Sequence, residues 1–161
     1  MSTHPISSPI KSVSQNVRLY SRRRVINGSI ITVVGFLLFL LGARPSLFGF
    51  DRSPVIGFVQ LSFFTLGLGI LCLGGYISLK GLWKDRAISI AADIGVRMIA
   101  TGYVISAFCA MADVFGFGSQ PFPSVPYFGP LQAGGVMLGQ GIISIGLILL
   151  IPFNSRPNKG A

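Results

Sequence analysis

The chain of 161 residues is 51% hydrophobic and only 11% charged, and its mean hydropathy is +0.71. Soluble globular domains carry about 25% charged residues, so this composition excludes that class and indicates a chain built for a lipid environment. The net charge of +9 does not indicate nucleic-acid binding, because the basic residues flank apolar stretches instead of alternating with aromatic residues on one face. We interpret them as topology signals and as contacts for anionic lipid headgroups.

Residues 1–24 are predicted to form a basic, partly disordered tail. The segment is rich in Ser and Pro, lacks acidic residues and ends in the three arginines Arg22–Arg24. Its composition predicts disorder up to about Gln15 and an interfacial helix from Val17 onwards. Organellar transit peptides have a similar composition, and a signal peptide cleaved after Ala43 is a further alternative. Because more apolar spans follow, an uncleaved signal anchor is the favoured interpretation.

Four apolar stretches predict an all-α fold, that of a polytopic membrane protein with four transmembrane helices in two hairpins. The second of them, residues 55–79, contains no charged residue and no histidine. As a helix it would measure about 37 Å, which exceeds the hydrocarbon core of about 30 Å. The predicted spans, which form a transmembrane domain over residues 25–152, are 25–43, 55–79, 88–114 and 131–151.

The distribution of Lys and Arg predicts the orientation of these spans. Ten of the basic residues fall on the side of the two chain termini, and only Arg44 and Arg52 fall on the opposite side, while Arg97 lies near the boundary. By the positive-inside rule, both termini are expected in the cytoplasm, including the short tail 153–161.

A short sequence is repeated before the second and the fourth span. Leu47–Phe50 reads LFGF and Val114–Phe117 reads VFGF, and each is followed by Pro shortly before a Gly-rich span. A duplicated hairpin would give a parallel repeat, because both hairpins start on the same side. Chance similarity in a biased composition is the favoured interpretation, and duplication is the alternative.

Residues Phe48–Tyr76, above all the segment DRSPVIGFVQ, resemble a stretch of uncharacterised small bacterial membrane proteins with four predicted spans. The resemblance implies the four-helix architecture and a location in the bacterial inner membrane. It implies no activity, cofactor or site residue.

Two acidic residues of the third span are candidate ion-pair or polar sites. Asp93 and Arg97 are four residues apart, so they share a helix face and can pair. A pair near the start of the helix is the structural interpretation, and a gate or relay is the functional one. Asp113 follows Arg97 after only about 22 Å of helix, less than the hydrocarbon core. We expect Asp113 to pair with Arg44 or Arg52, and a proton or cation site is the alternative.

Two amide side chains, Gln60 and Gln140, lie within predicted spans. Uncharged amides inside a bilayer are expected to face other helices and to form hydrogen bonds across the contact. The alternative is that both line a polar path together with Asp113.

Small residues predict close packing of the third span against the fourth span or against a partner. Gly135 and Gly139 form a GxxxG step on the fourth span. On the third span a small residue recurs at every fourth position, at Gly102, Ser106 and Ala110.

No constellation for catalysis is found in the sequence. The single histidine, His4, lies in the tail, and no Cys/His cluster with metal-ligand spacing is present, so neither an enzymatic activity nor a metal or cofactor is expected. The favoured function is therefore structural: an accessory subunit or helix-bundle partner in a membrane complex, binding lipids and a membrane protein or a second copy of itself. The alternative is a small oligomeric transporter or channel that uses Asp113, Gln60 and Gln140.

Overall fold

The computed structural model describes residues 8–49, 57–83, 87–116 and 129–152, with residues 8–21 described by their backbone only. These residues form four α-helices and one 3-10 helix, and they contain no strand. Each α-helix is long and apolar enough to cross a membrane, so the predicted all-α chain with four helices of this kind is confirmed. The elements are α1 (Ser8–Ala43), the 3-10 helix Pro45–Phe48, α2 (Phe58–Leu82), α3 (Ile90–Ala110) and α4 (Pro130–Leu149).

Helix α1 begins earlier than the sequence analysis expected. It starts at Ser8, inside the part of the tail for which disorder was predicted, and continues without a break into the apolar segment Arg22–Ala43. Extending an existing helix costs far less than starting a new one, and Pro9 stands in the first turn, where its missing N–H carries no penalty. At about 54 Å, the helix is longer than the hydrocarbon core of a bilayer.

Regularly spaced glycines hold α1 against α2. A seven-residue step keeps residues on one line along a left-handed helix pair, so glycine lines this contact on both helices. Gly42, near the end of α1, faces Phe64 in the first half of α2, so the two helices run antiparallel. The glycines of α1 that face α2 are Gly28, Gly35 and Gly42, and those of α2 that face α1 are Gly67, Gly74 and Gly81.

The glycines are required because the two backbones lie closer together than a side chain allows. A Cβ atom built on Gly28 would lie 2.5 Å from the backbone N of Ser78. One built on Gly67 would lie 2.6 Å from Cα of Phe39. Real Cβ atoms essentially never come within 3.0 Å of such atoms, so any larger residue would push the helices apart. We call this contact the α1–α2 seam.

The same arrangement joins α3 to α4. Gly95 and Gly102 of α3 are seven residues apart, and so are Gly139 and Gly146 of α4. A Cβ atom on Gly102 would lie 2.6 Å from the carbonyl O of Gly139. One on Gly95 would lie 2.7 Å from the carbonyl O of Gly146. This α3–α4 seam is therefore also a contact of backbone against backbone.

Helix α2 connects the two pairs. Its contacts with α3 and α4 are much less extensive than either seam, and Gly75 of α2 lies against the Leu147 side chain. At one end of the bundle, Trp83 Nε1 donates a hydrogen bond of 3.0 Å to the carbonyl O of Leu150. We call this the Trp83 end. The buried residues of the main core are Leu68, Cys72, Ala92, Ile99, Ile143 and Leu150.

Helix α3 ends before the predicted boundary of the third span at residue 114. Its last residue is Ala110, and Met111 caps it by donating its backbone N–H to the carbonyl O of Ala107 at 3.0 Å. Residues 111–116 form turns that end at Gly116 with φ +78°. Asp113 therefore lies in a turn after the helix, where the backbone N–H of Gly116 donates to its carbonyl O.

The first helix pair (α1 and α2) and the second (α3 and α4) have glycines at corresponding positions. Gly49 and Gly116 both have positive φ, and each donates its N–H to the carbonyl three residues earlier at 3.2 Å. The segments Leu66–Ile70 (LGLGI) and Leu138–Ile142 (LGQGI) both carry seam glycines. The glycine pairs separated by one and the same step are Gly28 and Gly95, Gly35 and Gly102, and Gly49 and Gly116.

Gly35→Ala is expected to destabilise the chain by about 1–3 kcal/mol, the usual cost of overpacking. The new Cβ would lie 2.8 Å from Cα of Leu71 in the facing backbone, and backbone cannot move aside as a flexible side chain can. The measurement is thermal unfolding of the purified chain in mild detergent, followed by far-UV circular dichroism.

Gly141→Ala is the matched control, because a Cβ at Gly141 meets no atom within 4 Å. It is expected to leave the stability unchanged, or to raise it by up to about 1 kcal/mol through the higher helix propensity of Ala. Equal losses of stability in the two variants would contradict the close approach of α1 and α2.

Candidate functional site

The α3–α4 seam contains a buried hydroxyl. Ser106 is fully buried, and its Oγ donates a hydrogen bond of 3.2 Å to the carbonyl O of Val136. Gly139 faces this hydroxyl directly, so the absence of a side chain at Gly139 makes room for it. An interhelical hydrogen bond of this kind contributes on the order of 0.6 kcal/mol in membrane proteins.

The other small residues singled out from the sequence lie at the same seam. Gly102 and Gly139 face each other, as described above, and Ala110 is fully buried. Gly135 lies against Cys109 of α3, with Cβ of Cys109 3.0 Å from the position that a Cβ on Gly135 would take. The structure therefore brings Gly102, Ser106, Ala110, Gly135 and Gly139 together between α3 and α4. Both cysteines, Cys72 and Cys109, are free.

Asp93 and Arg97 form an ion pair on the surface of α3. Arg97 Nη2 lies 3.1 Å from Asp93 Oδ2, and the two side chains are 79% and 62% exposed. Asp93 lies in the first turn of α3, where a carboxylate interacts favourably with the helix dipole, and Ser89 caps the same turn. Both charges are exposed, so this pair lies on the outside of the bundle and not between its helices.

Asp113 is half-buried and forms no ion pair with Arg44, since Asp93–Arg97 is the single ion pair within the described residues. Arg44 is exposed and follows α1, donating its N–H to the carbonyl O of Leu40. The alternative partner, Arg52, lies outside the described residues, so a pair between Asp113 and Arg52 stays a prediction.

Gln60 and Gln140 are half-buried, and neither side chain forms a hydrogen bond with another described residue. No hydrogen bond therefore links them to each other or to Asp113. The buried amide is a different one, Gln132, whose Oε1 accepts the backbone N–H of Gly129 at 3.2 Å. The signal for it in the sequence was Gln at the third position of a helix that starts with Pro130, where it can cap the helix start.

A groove lies between α2 and α3, where the helices are not joined by facing glycines. Tyr103 fills the space beside Gly69, its Oη 3.1 Å from the position that a Cβ on Gly69 would take. The groove has a volume of about 290 Å³ and is open to the exterior of the bundle along the exposed residues Leu73 and Ala100. Its lining is almost entirely apolar and includes Cys72, Leu73, Tyr76, Ile99, Ala100 and Tyr103.

Basic residues border the Trp83 end of the bundle. Lys80 lies in the last turn of α2, and its Nζ donates a hydrogen bond of 2.8 Å to Oη of Tyr76. Arg24 of α1 lies beside the same part of α2, with its Cβ 3.5 Å from the position that a Cβ on Gly81 would take. Arg22 and Arg23 precede it on the exposed surface of α1.

Within the described residues, no group of three or more His, Cys, Asp or Glu side chains is placed to hold a metal ion. The chain matches no protein-family model, no curated protein and no solved structure. The features with chemical content are therefore the two glycine seams, the buried Ser106 hydroxyl, the apolar groove and the basic Trp83 end.

Ser106→Ala is expected to lower the free energy of unfolding by about 0.6 kcal/mol, because it removes one interhelical hydrogen bond without adding bulk. Ser144→Ala is the control, since Ser144 Oγ bonds only the carbonyl O of Gln140 within its own helix, at an exposed position. The measurement is thermal unfolding of the purified chain in mild detergent. If both variants lost the same stability, Ser106 would have no specific role in the seam.

Proposed function

We propose that this chain is a small polytopic membrane protein with four transmembrane helices in two hairpins, acting as an accessory subunit or helix-bundle partner in a membrane complex. Four helices of membrane-spanning length and composition support insertion. The antiparallel seams support the two hairpins, α1 with α2 and α3 with α4. The bacterial inner membrane is the proposed location, in agreement with the resemblance of Phe48–Tyr76 to small bacterial membrane proteins.

The outer surface of α1 supports an apolar environment around the bundle. Of the four helices, α1 makes its extensive contact with α2 alone. Its remaining surface carries apolar side chains that are about half exposed: Ile26, Ile30, Val33, Val34, Phe36 and Leu37. A soluble monomer rarely exposes a contiguous apolar surface of this kind, whereas lipid chains or the helix of another chain cover it at no cost.

Two uncovered glycines on α4 carry the proposal of a protein partner. Gly134 and Gly141 are seven residues apart, the same spacing as in both seams, yet they are exposed and no atom lies within 4 Å of a Cβ built on either. We call Gly134 and Gly141 the α4 glycine line. Within the described residues, no helix faces it. Close approach of a helix from another chain fits such a surface.

The structural role is preferred over a transport path. The groove is lined by apolar residues, and Gln60, Gln140 and Asp113 are not among those that line it. We also propose a non-catalytic role, because the groove contains no acid–base pair. The charges support the proposed orientation: Arg22–Arg24 and Lys80 lie at the Trp83 end, and the positive-inside rule favours the cytoplasm for that end and for both termini.

The native mass and composition of the protein extracted from its own membrane in a mild detergent or polymer disc test this role. Stoichiometric partner polypeptides are expected. Gly141→Leu is expected to release them while leaving the helical content unchanged, because a Cβ at this exposed position meets no facing atom within 4 Å. Ala91→Leu, at an exposed small residue of α3, is the control and is expected to retain them.

A homo-oligomer without other polypeptides would contradict the accessory role. Flux assays on Asp113→Asn would then decide whether the transporter or channel alternative holds, since loss of an ion-dependent flux with intact assembly is expected only for that alternative.

Single-cysteine labelling tests the orientation in a background in which Cys72 and Cys109 are replaced by Ala. Ser46→Cys in the 3-10 helix is expected to react with a membrane-impermeant maleimide in intact cells. Ala87→Cys, before α3 at the opposite end of the bundle, is expected to react only after the cells are opened. The reverse pattern would overturn the proposed orientation.

A further inference from the structure

The groove between α2 and α3 leads to a pair of hydrogen-bond donors at the Trp83 end. Tyr76 lines the groove, and its hydroxyl accepts the hydrogen bond from Lys80 Nζ. The groove extends along α2 from Gly69 to Tyr76, seven residue steps or about 10 Å. The groove therefore begins at Tyr76, beside the cation of Lys80 near the end of the helix, and continues into the apolar part of the bundle.

These two donors lack an acidic acceptor within the described residues. Lys80 forms no ion pair there, and two of its three ammonium N–H groups remain after the bond to Tyr76. The Tyr76 hydroxyl accepts from Lys80 and donates to no described residue, so its own proton is available. An ammonium and a hydroxyl held 2.8 Å apart are suited to binding a phosphate oxygen together.

The shape and lining of the groove suit a lipid chain. It is about 10 Å long, has a volume of about 290 Å³ and is almost entirely apolar. Part of one flexible hydrocarbon chain fits such a groove while its headgroup stays at the Trp83 end. Each buried methylene group stabilises such a chain by about 0.8 kcal/mol.

We propose that this groove binds an anionic phospholipid of the cytoplasmic leaflet. The phosphate contacts Lys80 and Tyr76, and one acyl chain lies along Leu73, Ile99 and Ala100. The inference rests on the insertion and orientation proposed above, because they bring Lys80 to the level of the headgroups. The inference goes beyond a general attraction between the basic Trp83 end and an anionic membrane surface, because it assigns one lipid to one site.

Native mass spectrometry of the purified, delipidated chain tests the inference by titration with phosphatidylglycerol and with phosphatidylcholine of the same acyl chains. One phosphatidylglycerol per chain is expected to bind more tightly than phosphatidylcholine. Lys80→Gln is expected to weaken the binding of phosphatidylglycerol about fivefold, the effect of one lysine at an anionic lipid surface. Ala100→Phe, which fills the groove, is expected to weaken it about tenfold.

Two matched controls separate this site from the general surface. Arg44→Gln removes a cation at the opposite end of the bundle, and Val104→Phe adds an aromatic ring to α3 at an exposed position that does not line the groove. Both are expected to bind phosphatidylglycerol as the unmodified chain does. Far-UV circular dichroism of every variant verifies that the helical content is retained.

Three results would overturn the lipid site: equal affinity for the two lipids, an equal loss in Arg44→Gln and Lys80→Gln, or unchanged binding in Ala100→Phe. The last result would point to a phosphate contact without an acyl chain. Failure of the proposed membrane role would be seen separately, as release of the chain from membranes by alkaline carbonate without detergent. A chain that stays in the membrane but does not distinguish the two lipids contradicts the lipid site alone.

Discussion

The structure depends on the approach of helix backbones at glycine. In a lipid environment the hydrophobic effect does not drive helices together, so van der Waals contact at close range has to do so. Glycines spaced by seven residues provide this contact along α1–α2 and again along α3–α4. Facing atoms lie where even a methyl group would clash, so each pair forms one closely packed unit, and the remaining features of the bundle follow from how these two units meet.

The two units meet less closely, and this difference creates the groove. Between α2 and α3, the ring of Tyr103 occupies the space beside Gly69, which keeps the backbones apart. The core residues and the bond from Trp83 to Leu150 hold the units together at the Trp83 end. In the middle of the contact between α2 and α3, the groove opens to the exterior of the bundle between Leu73 and Ala100. A tight seam has no room for a ligand, whereas this looser contact does.

The seven-residue glycine spacing of the two seams recurs on the surface of α4 that the proposed partner would contact. Two of the uncovered surfaces are of different kinds: α1 presents bulky apolar side chains, and α4 presents Gly134 and Gly141. Bulky side chains suit disordered lipid chains, and a glycine line suits a second helix, because only a backbone at close range compensates for the missing side chain. Both halves contain a glycine with positive φ, Gly49 and Gly116, and a seven-residue glycine spacing at their seams.

The sequence alone determined the number of helices and the distribution of charge between the two ends, because hydropathy and length are properties of continuous stretches. It also identified Ser106 and Gly139 as packing residues, since small residues at helical spacing are visible along one helix. Only the tertiary structure decided that Gly28 faces Ser78, that Asp113 does not reach Arg44, that Gln132 is the buried amide and that the groove ends at Lys80. These relations join residues distant in the chain, and they are fixed by the register of one helix against another, which no local pattern contains.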